Sequence, residues 1–148
     1  MSSGPTAVLY HVPARGLSRR AIRDFARQLE QQVAGGRGFC CLVTNDDELR
    51  RLNKQFRKKD HATDVLSFPN LHPKEQLGEL AISWDRAKAQ AAEFGHTPAD
   101  ELRILMLHGV LHLTGMDHER DGGKMARAEI RWRRRLNLPA GLIERVRA

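Results

Sequence analysis

The sequence predicts an α+β fold in which a small mixed β-sheet packs against several helices. Four short runs have the composition or alternation of strands, at 6–12, 39–44, 63–68 and 77–83. Longer segments with helical spacing lie between and after them, without regular βαβ alternation. The 148 residues contain no repeat and no long linker, so a single domain spanning 1–148 is expected.

Two amphipathic helices are predicted in the first half of the chain. The segment 17–33 has apolar residues at helical spacing: Ile22, Phe25, Leu29 and Val33. A second helix begins at Asn45, and its predicted buried stripe consists of Leu49, Leu52 and Phe56.

The last predicted strand, 77–83, alternates along its length. One face is predicted to carry Leu77, Glu79, Ala81 and Ser83. The other face is predicted to carry Gly78, Leu80 and Ile82. A helix over 84–94 follows and stops at Gly95.

The helix predicted over 98–113 is expected to lie at the centre of the fold. Thr97 is a capping residue, Pro98 suits the first helical position, and Asp100 favours the first turn. Apolar residues surround most of this helix, which implies burial on most sides. Two further helices are predicted near 123–136 and 140–147.

The charge of the chain favours a polyanionic partner. The formal net charge is +7, and arginine greatly outnumbers lysine. Arginine makes bidentate contacts with phosphate and stacks on bases, so RNA or DNA is the leading candidate. A merely soluble basic surface is an equally good explanation of the charge alone.

Three classes of feature are not predicted. The only cysteines, Cys40 and Cys41, are adjacent on a strand and point to opposite faces, which disfavours both a disulfide and a shared metal. No apolar run approaches the ~20 residues of a membrane span. No signal peptide is recognisable, so a cytoplasmic location is expected.

Three histidines in one short segment predict a metal site. His108 and His112 are four residues apart on the central helix and therefore share a face. Gly115 can end the helix in a left-handed conformation and turn His118 towards the same point. Three imidazoles with an open fourth position are typical of one catalytic zinc ion. The alternatives are hydrogen-bonded core histidines or a pH-sensitive pair.

The residue after the first histidine argues against a peptidase. The spacing matches the extended zinc-protease motif, in which a glutamate general base follows the first histidine. Here that residue is Gly109, which leaves space for substrate or for close packing of another element. Asp117 either orients a ligand imidazole or caps the next turn.

The helix near 123–136 combines an apolar stripe with arginines. Met125, Trp132 and Leu136 form the stripe. The arginines that lie largely elsewhere are Arg127, Arg131, Arg134 and Arg135. Such a face is explained by solvation or by contact with phosphate.

Three segments, in order, resemble the YbeY family of bacterial zinc-dependent endoribonucleases. They are LNKQFRKKDHATDVLSFP at 52–69, LGELAIS at 77–83 and HGVLHLTGMDH at 108–118. The resemblance implies a similar α+β fold, zinc bound by His108, His112 and His118, and a catalytic role for Arg57. Two departures are Glu79, where the family usually has aspartate, and Met116, where an aromatic residue is common.

The function that this resemblance implies is cleavage of single-stranded RNA. The expected role is maturation of ribosomal RNA at the 3′ end of the small subunit, and ribosome quality control. The small subunit or its assembly factors are the expected partners. The alternatives are a ribosome- or RNA-binding assembly factor with structural zinc and, less favoured because of Gly109, a metallopeptidase.

Overall fold

The computed structural model describes residues 6–57, 63–72, 74–116 and 121–147, which form a mixed sheet and its covering helices. The strands are β1 (Ala7–Tyr10), β2 (Gly38–Thr44), β3 (Val65–Pro69) and β4 (Gln76–Ser83). The sheet has the order β1-β2-β4-β3, with β1 parallel to β2, β2 parallel to β4, and β3 antiparallel to β4. The predicted α+β fold with a mixed sheet is confirmed.

Six helices cover the sheet within the described part of the chain. They are α1 (Arg19–Gln32), α2 (Asp46–Arg57), α3 (Trp84–Phe94), α4 (Pro98–Leu113), α5 (Lys124–Arg135) and α6 (Leu142–Arg147). All six predicted helices are present, with ends shifted by a few residues. None of these helices has the length and apolar character required to span a membrane.

The predicted central helix, α4, is confirmed as the element against which α1, α3, α5 and α6 pack. The Thr97 hydroxyl accepts a hydrogen bond from the amide of Asp100 at 3.1 Å, and Pro98 occupies the first turn. The helix then runs buried between the sheet and the helices α1, α3, α5 and α6. Because apolar residues surround it, burial on nearly every side stabilises it.

The opposite face of the sheet is covered by α2. Leu49 of this helix packs against Leu66 and Ala81 in a small separate cluster. Leu52 lies partly buried beside them, as the predicted stripe requires. The prediction that Phe56 completes the buried stripe is wrong: its side chain is 60% exposed, because α2 ends at the open edge of this cluster.

The predicted alternation of β4 fails at Leu77. Gly38 pairs with Gln76 and Phe39 with Gly78, so Leu77 is an extra residue on β4, as in a β-bulge. The extra residue shifts the alternation, and Leu77 packs in the main core that also contains Leu80 and Ile82. Beyond the bulge the predicted faces hold, since Glu79 is exposed on the α2 side of the sheet, where it lines one cleft with Leu52 and Phe56.

The bulge requires a glycine at position 78. Gly78 has φ +148°, and a Cβ there would overlap the backbone carbonyl oxygen of Phe68 and lie 3.0 Å from Leu113 Cδ2. We expect Gly78→Ala to destabilise the protein by about 2–4 kcal/mol, because backbone strain and overpacking both contribute. Urea unfolding measures this change.

Gly95→Ala is the matched control for backbone strain. Gly95 also has a positive φ, +75°, but a Cβ there meets no atom within 4 Å. We expect it to cost only the left-handed conformation, about 1–2 kcal/mol. Equal losses in the two variants would contradict the overlap at Gly78.

Candidate metal centre

Two of the predicted metal ligands lie together on α4. The rings of His108 and His112 have centroids 4.8 Å apart and an interplanar angle of 74°. His108 is 7% exposed, whereas His112 is half-buried. The structure therefore confirms that the four-residue spacing places both rings side by side, one of them next to solvent.

Each ring has a defined acceptor at Nδ1. His108 Nδ1 lies 2.8 Å from Glu129 Oε2, and His112 Nδ1 lies 3.0 Å from the carbonyl oxygen of Met116. A carbonyl oxygen only accepts hydrogen bonds, so His112 Nδ1 carries a proton. A carboxylate imposes the same arrangement on His108. In a neutral imidazole with Nδ1 protonated, the lone pair is on Nε2, the atom that such a ring presents to a metal.

Sequence reasoning missed Glu129. It lies on α5, is 1% exposed, and its second oxygen, Oε1, accepts a hydrogen bond from the amide of Ile143 at 2.9 Å. A signal was present, because position 129 falls on the apolar stripe of Met125, Trp132 and Leu136. An acidic residue within an apolar stripe is expected to have buried partners.

The turn that follows the second histidine has the predicted conformation. Gly115 has φ +101°, and its amide donates to the carbonyl oxygen of His112 at 2.9 Å. His118 and Asp117 lie outside the described residues, so the convergence of three imidazoles stays a prediction. Over the ranges that the structure describes, no group of three His, Cys, Asp or Glu side chains is placed to hold a metal.

The residues present nevertheless fit a metal ion. Two imidazoles share one helix face, and their Nδ1 atoms are both directed to acceptors, which is the usual orientation of metal-binding histidines. Burial raises the pKa of both the Cys40 and the Cys41 thiol, which disfavours metal binding by either cysteine. His108 and His112 are the two described residues suited to hold the ion.

Gly109 is explained by packing rather than by space for substrate. A Cβ at this position would lie 2.6 Å from Leu80 Cδ2 and 3.3 Å from Val65 Cγ2. The helix face at 109 therefore rests directly on the sheet. A side chain at position 109 would face the sheet and would have to displace Leu80, which disfavours a protease general base at this position.

Arg57 is the last residue of α2, and its side chain is not described. The preceding residue, Phe56, contacts Phe68 edge to face with ring centroids 5.6 Å apart. Phe68 pairs with Glu79, next to Gly78, and a Cβ on Gly78 would touch Leu113 at the end of α4. The C-terminal ends of α2 and α4 thus reach the same end of the sheet from opposite faces.

A cleft of about 430 Å³ opens beside the end of α2. Its walls include Phe56 and Phe68, and Glu79 also lines it. The residue at the family's usual aspartate position therefore borders this cleft rather than the histidine pair. The cleft combines exposed aromatic surface with polar groups, which suits an unpaired base.

The arginine face of α5 is confirmed. Met125 is fully buried, and Trp132 and Leu136 are partly buried, as predicted for the apolar stripe. The four predicted arginines, Arg127, Arg131, Arg134 and Arg135, are all exposed. The guanidinium carbon of Arg135 lies 5.2 Å from the centre of the Trp132 ring, a cation–π distance.

Comparison with known proteins identifies the family. The model of the YbeY family, described as Endoribonuclease YbeY, matches residues 15–137. A Solibacter usitatus protein named Endoribonuclease YbeY is 59% identical over 98% of this chain and 97% of its own length. A Koribacter versatilis protein of the same name is 52% identical over 88% of this chain and 85% of its own.

A solved structure shares the fold. The solution structure of a Thermotoga maritima protein superposes with a TM-score of 0.59 at 26% identity, covering 87% of this chain and 86% of that one. The sequence matches extend through the helix that carries the paired histidines and through the helix that carries Glu129. The chain therefore belongs to the YbeY family of endoribonucleases.

Proposed function

We propose that this protein is a zinc-dependent endoribonuclease that cleaves single-stranded ribosomal RNA. The observation that carries the proposal is the side-by-side pair of imidazoles, each with Nδ1 directed to an acceptor. The names of its close relatives support cleavage of RNA as the reaction.

In this proposal one zinc ion is held by His108, His112 and His118. When bound, it supplies Lewis-acid chemistry at a phosphoryl oxygen or at water. Glu129 and the Met116 carbonyl keep the protons of the two described rings at Nδ1. The chain itself then holds the imidazoles in one orientation before any substrate arrives.

Arg57 is proposed to stabilise charge on the scissile phosphate. In phosphodiester cleavage negative charge develops on the non-bridging oxygens, and a guanidinium directed there lowers the barrier. Arg57 ends α2 at the same end of the sheet at which α4 ends, which supports this role. The nucleophile is either water or the 2′-hydroxyl of the RNA.

RNA binding is proposed to use both the cleft and the arginine face. The exposed Phe56 ring offers a stacking surface for a base, and Glu79 offers a hydrogen-bond acceptor. The arginines of α5 offer contacts with phosphate, in keeping with the net charge of +7.

The wider role proposed is cytoplasmic: maturation of small-subunit ribosomal RNA at its 3′ end and ribosome quality control, with the small subunit or its assembly factors as partners.

The alternative from another class is an assembly factor whose zinc is structural. A crystal structure of the zinc-loaded protein discriminates between them: water at the fourth zinc position favours an enzyme, whereas a fourth protein ligand favours a scaffold. A metallopeptidase is disfavoured because position 109 faces the sheet.

Removing one histidine tests the metal site. We expect His112→Ala to lose zinc and RNA cleavage together, because two imidazoles hold the ion far less tightly than three. Zinc content of the purified protein and cleavage of a single-stranded RNA are measured side by side. His72→Ala, at an exposed position outside the site, is the control and should retain both. Wild-type zinc content in His112→Ala would contradict the proposed ligand set.

Replacing Arg57 tests its catalytic role. We expect Arg57→Ala to lower kcat by about 10²–10³-fold with unchanged zinc content, because the guanidinium acts on the substrate and not on the metal. Arg51→Ala is the matched control, since Arg51 lies on the same helix and pairs with Glu48. Wild-type kcat in Arg57→Ala would remove this residue from the mechanism.

Salt dependence tests the arginine face. If each of these arginines contacts one phosphate, replacing Arg127, Arg131 and Arg134 by glutamate should change the affinity for single-stranded RNA. The slope of log affinity against log salt concentration should become less steep by about 2. The control reverses Arg20, Arg23 and Arg27, which are exposed on α1 and change the net charge equally. Identical slopes in the two triple variants would assign the effect to net charge alone.

A further inference from the structure

We propose that Glu129 is a positioning residue that orients His108 for metal binding. The inference rests on the proposed metal site and adds to it a residue that is not itself a ligand. Glu129 is on α5, whereas His108 is on α4. The Glu129 carboxylate therefore holds the imidazole of His108 from a neighbouring helix.

The carboxylate is held by contacts at both of its oxygens. Oε2 lies 2.8 Å from His108 Nδ1, and Oε1 accepts from the amide of Ile143 at 2.9 Å. A carboxylate that is 1% exposed is costly to bury unless both oxygens have partners. Since the Ile143 amide belongs to α6, three helices meet at this one side chain, which leaves it little freedom to turn away from the histidine.

The chain makes room for this arrangement at Gly141. A Cβ at position 141 would overlap the Glu129 carboxylate. Gly141 lets the segment before α6 approach closely enough for the Ile143 amide to reach Oε1. The close approach places a donor on the oxygen that faces away from His108, so Oε2 stays directed to the imidazole.

A carboxylate at Nδ1 has a specific consequence at Nε2. Accepting the Nδ1 proton fixes the tautomer, aligns the ring and makes Nε2 a stronger donor to a metal. A charged acceptor forms a stronger hydrogen bond than a neutral one. Within the site, His108 has the carboxylate and His112 has a backbone carbonyl, so a side-chain substitution can weaken the support of His108 alone.

A second buried carboxylate supplies the matched control. Glu101 is 0% exposed and lies on α4, where it bonds His96 Nε2 at 2.6 Å and Arg145 Nη2 at 2.7 Å. Like Glu129 it links a histidine to α6, but His96 is not part of the metal site. If substitution of Glu129 acted only by loosening α6, substitution of Glu101 should weaken zinc binding equally. If it acts through the orientation of His108, only substitution of Glu129 should weaken zinc binding.

The experiment compares zinc affinity in Glu129→Gln and Glu101→Gln by competition with a chelator, on variants that circular dichroism shows to be folded. The amide of glutamine has one acceptor oxygen and one donor nitrogen, so it cannot accept from both His108 and Ile143. We expect Glu129→Gln to bind zinc about 10–100-fold more weakly. Glu101→Gln should bind zinc within about twofold of the wild type while losing stability to urea. Wild-type affinity in Glu129→Gln, or an equal loss in Glu101→Gln, would overturn the proposal.

A measurement on the metal-free wild type keeps the proposal testable if a variant does not fold. The ¹⁵N shifts of labelled histidine report which ring nitrogen carries the proton. We expect His108 to be protonated at Nδ1, and an Nε2-protonated ring would overturn the proposal. This readout also separates the two hypotheses: a protein that binds no zinc but shows the expected tautomer would refute the metal site and leave the contact between Glu129 and His108 in place.

Discussion

The contact between α4 and the sheet at Gly109 is the constraint on which the rest of the site depends. Leu80 and Val65 approach so closely that a side chain at position 109 would have to displace Leu80. With this face of α4 pressed on the sheet, its rotation is fixed, and residues 108 and 112 point towards α5 and solvent. Gly109, which stands where the protease motif has its glutamate base, is thus also the residue that fixes the direction in which His108 and His112 point.

A helix that fills the core can carry polar ligands only if buried partners compensate for their lost hydration. The fold supplies such a partner to His108 as the carboxylate of Glu129, and a second buried carboxylate, Glu101, is held in a similar way; each is 1% exposed or less. Each bonds a histidine and a group from α6. The short C-terminal helix, α6, therefore donates hydrogen bonds to both buried carboxylates. Because Glu129 is held in this way, it can pair with His108 in the apolar surroundings of α4.

The parts of the structure that depend on local rules could be predicted from the sequence, and those that depend on a partner element could not. The cap at Thr97, the shared face of His108 and His112, and the turn at Gly115 follow from helix geometry within a few residues. The bulge at Leu77 depends on the register with β2, and the exposure of Phe56 depends on where the small cluster under α2 ends. Neither leaves a local signal.

The arrangement of the layers explains how residues distant in sequence could act on one phosphodiester. The helix that carries the paired histidines, α4, covers one face of the sheet, and the helix that ends at Arg57, α2, covers the other. Both helices end at the end of the sheet where β3 finishes and β4 begins. Gly78 lies there between Phe68 and Leu113. A side chain larger than glycine there would push Phe68 and Leu113 apart, and with them the ends of the two helices. The glycine of the bulge therefore keeps the ends of α2 and α4 near each other, as the proposed joint action of Arg57 and the metal site on one substrate requires.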